Sequence, residues 1–427
     1  MAATVPAARA GAALAPWWSA RPALLRFVAD LVAAELAALR HDPLLQSAGW
    51  TEDLSLEHDL ALDSLEFLHI AGTLSTALQM HHSGVEDYLL ARRTLGDWID
   101  IAGVALGHYD GELVFTSSGS TGQPKHCAHV LYKLEQEAGA LAGLFPARRR
   151  VLAAVPSHHI YGFLFTQLLP RHLGLDSEQV ASVRAHLPAT LARHAAPGDL
   201  VIAHPQFWQA ALAGGLAFPP DVIGVSSTAP CPDEVADAAG RCGLGALFQI
   251  YGSSETGGLG WRASHREDYR LLPYLARGEG AVERSVTRTL PDGAIETVQA
   301  QDGLKWSSAR TFKVGVRCDG AVQVGGVNVY PARVRAALLE HPEVADCAVR
   351  PMRPDEGTRL KAFIVRRDVD INADGRADRA DAERAFLQRL RGWIDARLAA
   401  PERPKAFTLG ACLPRNAMGK AADWSIG

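Results

Sequence analysis

An α/β protein in three parts is what this sequence predicts: a wound sheet over residues 110–318, a four-helix bundle before it at 23–103, and a small α+β domain after it at 319–427. Three patterns carry that reading. Between 110 and 318, short apolar runs such as Val151–Val155, Asp199–Ala203 and Val222–Val225 alternate with amphipathic stretches, as in a sheet wound with helices. Before it, apolar residues recur at helical spacing and no strand-like run interrupts them. After it, a helix at Ala332–Leu339, strands at His341–Val349 and Leu360–Arg366, and a helix at Arg384–Leu398 make a compact α+β set. A chain of 427 residues has room for two or three such domains.

Composition narrows the function classes. Hydrophobic residues at 48% and charged residues at 21% describe a soluble globular chain. A formal net charge of −4 supplies no basic field, which argues against nucleic acid as a partner. The six cysteines form no C-x-x-C pair, so neither a zinc site nor a disulfide framework is indicated; they fit a reducing, cytoplasmic setting. No apolar run reaches the length of a membrane span. Residues 1–22, rich in alanine, read as a disordered leader.

Taken in order, Leu24, Phe27, Val28, Leu31, Val32 and Leu36 predict a first helix over Pro22–Arg40. Asp63 or Ser64 caps a second, whose apolar face runs through Leu65, Leu68, Ile70 and Leu74. A third fits Val85–Ala91, and Thr94 caps a fourth. After Gly111 the pattern changes. Glu112–Phe115 reads as a strand that runs into Thr116-Ser117-Ser118-Gly119-Ser120-Thr121-Gly122-Gln123-Pro124-Lys125. Hydroxyls, glycines and a lysine in so short a span let several N–H groups face one anion. It is not a Walker A loop, because Pro124 precedes the lysine. Val130–Phe145 reads as an amphipathic helix, and Asp292-Gly293 as a hairpin turn.

A second polar loop, Tyr251-Gly252-Ser253-Ser254-Glu255-Thr256-Gly257, follows the strand-like Leu247–Ile250. Tyr251 can stack on a base, Ser253 and Ser254 can bond phosphate or substrate oxygens, and Glu255 can hold Mg²⁺, which favours one or two carboxylates plus phosphate oxygens. Together, T-S-S-G-S-T-G-x-P-K and Y-G-S-S-E-T resemble the adenylate-forming superfamily of acyl- and aryl-CoA synthetases, AMP ligases and adenylation domains. The resemblance extends to Pro156–Phe165, where His159 takes the place of a histidine near the acid pocket, and to Arg317–Pro331, similar to the family's hinge. It reaches Pro414–Lys420, similar to the closing P-R-x-x-x-G-K. The family's S/T-G-D is absent; counting back from Arg317, Asp302 stands about where its aspartate belongs. Val316 replaces the hinge glycine and Gln323 the hinge lysine.

The resemblance implies an AMP-forming acid–thiol ligase that uses ATP and Mg²⁺. Thr116–Gly122 and Lys125 would grip the triphosphate, Glu255 the metal, and Tyr251, Gly252, Ser253 and Ser254 the nucleotide. Asp302 would take the ribose and Arg317 would face the nucleotide. Lys420 would bridge carboxylate and α-phosphate, Asp319 would mark the hinge, and His159, Ala229 and Gly257 would wall an aryl or fatty acid. The acceptor would be CoA or a phosphopantetheine thiol. The block at 23–103 resembles an acyl carrier protein in D-L-x-L-D-S-L-E-F-L and T-L-G-D-W-I, which implies phosphopantetheine on Ser64, though Ala61 replaces the carriers' usual glycine. The adenylating part would then be shortened at its N-terminal side. The missing S/T-G-D and the substituted hinge also fit a weakened adenylation fold that docks a partner through the helical block.

Overall fold

A computed structural model describes residues 14–40, 42, 44–118, 124–278, 283–318, 320–353, 355–367, 376–414 and 422–426. Four helices open the chain: α1 (Arg21–Arg40), α2 (Ser64–Ala77), α3 (Tyr88–Ala91) and α4 (Leu95–His108). Their starts are written in the sequence. The Asp63 carboxylate accepts from Leu65 N–H and Glu66 N–H, both at 2.8 Å, while Glu66 accepts from Asp63 N–H at 3.1 Å, a reciprocal cap. Asp63 is therefore the cap, and Ser64 is the first helical residue. Thr94 and Asp97 cap α4 in the same way.

The block is not the separate carrier-like bundle expected. Residues 28–33 of α1 are all buried, so the helix is covered on more than one side. One side meets α2 and α4, and another lies against the segment at 160–172. Phe27, Leu31, Trp98 and Leu106 share one continuous core with Phe163, Leu168 and Leu200. Nor is 14–22 a loose leader. Residues 17–19 form a 3₁₀ turn, and Trp17 is fully buried with its ring 4.9 Å from Phe163 and 5.5 Å from Phe27. A side chain of that size gains too much from burial to stay in water.

Two compact units divide the chain: Met1–Ser117 with Lys125–Val316, and Ser118–Pro124 with Arg317–Gly427. In the first, β1 (Glu112–Ser118) and β2 (Pro124–Val130) form a ribbon that leads into α5 (Leu131–Ala142). The main sheet follows with β3 (Arg150–Ala153), β4 (Val180–Ser182), β5 (Asp199–Ala203), β6 (Ile223–Ser226), β7 (Ala246–Ser253), β8 (Gly257–Arg262) and β9 (Tyr269–Leu271). β10 (Leu275–Arg277), β11 (Ser285–Thr289) and β12 (Ile295–Gln299) make a separate three-stranded sheet, turned at Gly293 as Asp292-Gly293 predicts. β13 (Asp302–Trp306) and β14 (Thr311–Arg317) return to the main sheet, whose order is β13-β14-β9-β8-β7-β6-β5-β3-β4. The strands β3 to β7 run parallel, and β5 is buried at all five residues, as a central strand covered on both faces must be. In such sheets, ligands sit beyond the carboxyl ends of the strands. Here those ends lead into the loops 227–232 and 251–256.

The second unit has its own core, with Val329, Val334, Leu338, Ile364, Phe386 and Leu390 packed between helices and a three-stranded sheet. Its Lys361 is fully buried. Nζ donates to Glu356 Oε2 at 2.7 Å and to the Trp424 carbonyl at 2.6 Å, and lies 3.2 Å from Asp423 Oδ1. The Lys361 hydrogen bond leads the causes that hold the Glu356 carboxyl down at about 2. No helix among the described residues is long and apolar enough to cross a membrane.

Candidate active site

The loop after β7 is drawn tight by its own side chains. Ser253 N–H donates to Thr256 Oγ1 at 3.2 Å, and that hydroxyl donates to the Gly257 carbonyl at 2.8 Å. Position 252 must be glycine, because a Cβ there would stand 2.2 Å from the Gly257 carbonyl oxygen. Folding back this way presents Glu255. Its Oε1 accepts from Lys125 Nζ at 2.9 Å, so the residue that closes the phosphate-loop motif meets the proposed metal ligand. Burial opposes ionisation of Glu255. The Lys125 bond, its own backbone and the Ser253 hydroxyl outweigh it and hold the carboxyl below its ordinary range. A lone ionised carboxylate of this kind fits Mg²⁺ carried largely by phosphates and water. Among the described residues no cluster of three or more His, Cys, Asp or Glu could cage a metal by itself.

Two neighbours brace the loop. His129 on β2 donates from Nε2 to the Ser254 carbonyl at 2.6 Å, and burial lowers its imidazole pKa. Glu137 on α5 accepts from Gly258 N–H at 2.7 Å. Glu137 is 1% exposed, its Oε2 has no hydrogen-bond partner, and Arg288 stands 3.9 Å away. Burial pushes its carboxyl up to about 7, against the opposing pull of Arg288 and Gly258 N–H. Gly257, expected in the acid pocket, is buried with φ +69°, and a Cβ there would meet Glu137 Oε2 at 2.5 Å. Glu137 therefore occupies the space that side of Gly257 was expected to offer.

Tyr251 donates its hydroxyl to Asp302 Oδ2 at 2.8 Å, and its ring packs 5.6 Å from Phe312 and 5.8 Å from Tyr269. Asp302, at the start of β13, is thereby brought beside the same strand that leads to Glu255. The loop after β6 holds Ala229 half-buried, next to Thr228 at φ +76°. A β-branched residue there is strained, and such strain gathers at ligand sites. His158 and His159 lie with ring centroids 4.2 Å apart. His159 keeps an exposed face while protein crowds the rest of the ring, and that crowding pushes both imidazoles below their usual range. The turn carrying them needs Gly162, where a Cβ would collide with the Pro156 carbonyl at 1.8 Å, and Tyr161 ties it down by donating to the Ala203 carbonyl at 3.1 Å.

Thr116 is exposed on β1, with Oγ1 3.5 Å from His126 Nδ1. Ser117 and Ser118 end that strand. The expectations for Gly119, Ser120, Thr121, Gly122, Asp319 and Lys420 fall outside the described residues. Arg317 closes β14. Ser64 is exposed in the first turn of α2. The sequence reading missed Glu137 and Thr228.

Comparison with known proteins shows the family. The profile of the AMP-binding enzyme family matches residues 107–297, and that of the AMP-binding enzyme C-terminal domain matches residues 334–420. A 4-coumarate–CoA ligase of Halorhodospira halophila is 40% identical over 401 residues, covering 93% of this chain and 97% of that protein. One from Rhodobacter capsulatus is 37% identical over 412 residues, covering 93% and 99%. Alignments that long cannot leave out the helical block, which is therefore part of these relatives and not an added carrier. Among solved structures, a double mutant of o-succinylbenzoate CoA synthetase from Bacillus subtilis aligns with a TM-score of 0.56 at 20% identity, over 72% of this chain and 67% of that one. An amide bond synthetase from Marinactinospora thermotolerans gives 0.54 at 22%, over 74% and 68%. Those two share the fold. Matched by family profile and by relatives along nearly its whole length, the chain belongs to the AMP-binding enzyme family, ligases that activate a carboxylic acid with ATP.

Proposed function

We propose that the acid is an aryl acid of the 4-coumarate kind and that the acceptor is CoA, in the cytoplasm. The observation that carries this is the pairing of Lys125 with Glu255, in a chain whose curated relatives at 37–40% identity are 4-coumarate–CoA ligases. In the first half-reaction the substrate's own carboxylate attacks the α-phosphorus, and pyrophosphate leaves. No enzymic nucleophile is required. The protein supplies in-line positioning and neutralises charge. Thr116–Gly122 and Lys125 hold the β- and γ-phosphates, and Lys125 leaves Glu255 for them as the nucleotide enters. Glu255 would hold Mg²⁺, which would supply Lewis-acid neutralisation of the phosphate oxygens. Tyr251, Gly252, Ser253 and Ser254 line the nucleotide, Arg317 faces it, Asp302 takes its ribose, and His159 and Ala229 wall the acid. Lys420 offsets charge at the carboxylate and α-phosphate. In the second half-reaction a thiolate displaces AMP from the acyl carbon after the C-terminal unit turns about Asp319, a hinge motion.

Pyrophosphate exchange with a panel of aryl and fatty acids tests this. Exchange is expected with the aryl acids, and Lys420→Ala should lose it by about a hundredfold. A panel with no active acid overturns the proposal. One observation favours a second acceptor. Ser64 lies exposed beside a depression of about 320 Å³ lined also by Glu57, Leu62, Phe67 and Arg93, room for a phosphopantetheine arm. Intact mass after treatment with a phosphopantetheinyl transferase tests this: an unchanged mass removes Ser64 as an acceptor.

A further inference from the structure

The helical block has no part in the adenylation step above, yet one of its acids is bonded into the segment that carries His159. Asp30, midway along α1, is 5% exposed. Its Oδ2 accepts from both Ser157 N–H at 2.7 Å and Ser157 Oγ at 2.8 Å. Its Oδ1 accepts from Arg184 Nη1 at 2.8 Å and from the Ser47 hydroxyl. One turn earlier, Arg26 donates to the Thr166 carbonyl at 3.0 Å and the Ser177 carbonyl at 2.7 Å, and burial pushes its guanidinium down to about 10. Thr166 lies in the wide π turn Leu164–Leu168, whose irregular bonding leaves carbonyls for such a donor. These two side chains fasten α1 to both ends of the segment that carries His158 and His159.

The electrostatics point the same way. The Arg184 charge acts on both imidazoles and the Asp30 charge acts on His159 with opposite sign. The side chain of Arg184 is 20% exposed, and Asp30 is its ion-pair partner. Without Asp30, a cation would stand uncompensated beside the pocket wall.

We propose that Asp30 is a specificity-determining positioning residue: through Ser157 it fixes the His158–His159 wall, and by offsetting Arg184 it reserves the pocket for acids whose far end is uncharged. The inference rests on His159 walling the acid, as proposed above.

The test uses the full chain and compares wild type, Asp30→Asn, Arg184→Gln and the double variant. Each is given an uncharged aryl acid and its counterpart bearing a second carboxylate. Both pyrophosphate exchange and calorimetric acid binding are measured. Asp30→Asn should raise KM for the uncharged acid about tenfold, leave KM for ATP within about twofold, and narrow the preference over the dicarboxylic acid by about tenfold. Adding Arg184→Gln should restore the preference. Unchanged discrimination in a folded Asp30→Asn protein overturns the inference, as does a parallel rise in both KM values. If Asp30→Asn does not fold, Arg184→Gln alone must still reject the dicarboxylic acid more strongly than wild type; otherwise the inference falls. Acid binding without exchange in wild type defeats the catalytic reading alone, and Asp30→Asn is then judged by binding. Neither binding nor exchange defeats both.

Discussion

Two buried carboxylates brace this protein from opposite helices, and they are solved differently. Asp30 on α1 receives hydrogen bonds from four donors on three segments, one of them a guanidinium. Glu137 on α5 receives one, from Gly258 N–H, and keeps an oxygen without a hydrogen bond. Burial costs a charge several kcal/mol unless it is paired and hydrogen-bonded. Asp30 meets that condition and behaves as a fixed strut. Glu137 meets it only in part, with one hydrogen bond and Arg288 at 3.9 Å, and burial holds its carboxyl up at about 7. The same functional group is thus tied by four donors where it stands on α1 and by one where it stands on α5.

Removing the anchor should have the largest effect. Asp30→Ala leaves Arg184 and the Ser157 N–H without their acceptor, and unfolding in urea should show a loss of about 4 kcal/mol. Near-wild-type stability would mean that the four donors contribute little. The next largest effect belongs to Glu137 and depends on pH. A carboxyl whose folded pKa is raised stabilises the fold fully below the unfolded value, near 4.5, and that contribution is lost as pH rises through about 7. Wild type should therefore lose as much as about 3 kcal/mol of stability from this group between pH 5 and pH 8. Glu137→Gln, which cannot ionise, should flatten that slope; parallel pH profiles for the two proteins would remove the distinction drawn here. Smallest is Ser157→Ala, which deletes one hydroxyl donor to Asp30 and keeps the backbone one. A cost of about 1 kcal/mol is expected in the same urea assay.

What residue order made legible on the expected nucleotide side is which side chains come together, because strings of hydroxyls, glycines and charge are local signals. Lys125 and Glu255, 130 residues apart, do meet, as does Tyr251 with Asp302. The helix caps at Asp63 and Thr94 and the turn at Gly293 were legible for the same local reason. Asp30 and Glu137 were not, since their partners lie up to 154 residues away and nothing local names them. Yet both carry a shared mark. Asp30 follows Phe27 by three positions and precedes Leu31; Glu137 follows Leu134 by three and precedes Ala138. An acid in the apolar register of a helix must find a buried partner, and that signal was overlooked. The carrier resemblance misled for a related reason. Capped amphipathic helices look alike whether they stand alone or share a core, and only the extra buried faces of α1 and of Trp17 decide.

The clamp between α1 and the later segments also sets a schedule for synthesis. Ser157 and Arg184, which secure Asp30, follow it by 127 and 154 residues. At about 5–20 residues per second, roughly eight to thirty seconds pass between the making of Asp30 and the arrival of its last anchor. For that interval α2 and α4 can cover one side of the helix, while the side that meets the segment at 160–172 waits for its last anchor. An element made before the main sheet is thus locked only after part of that sheet exists. Nascent chains halted before Arg184 should remain open to protease at α1, and those released beyond β7 should not.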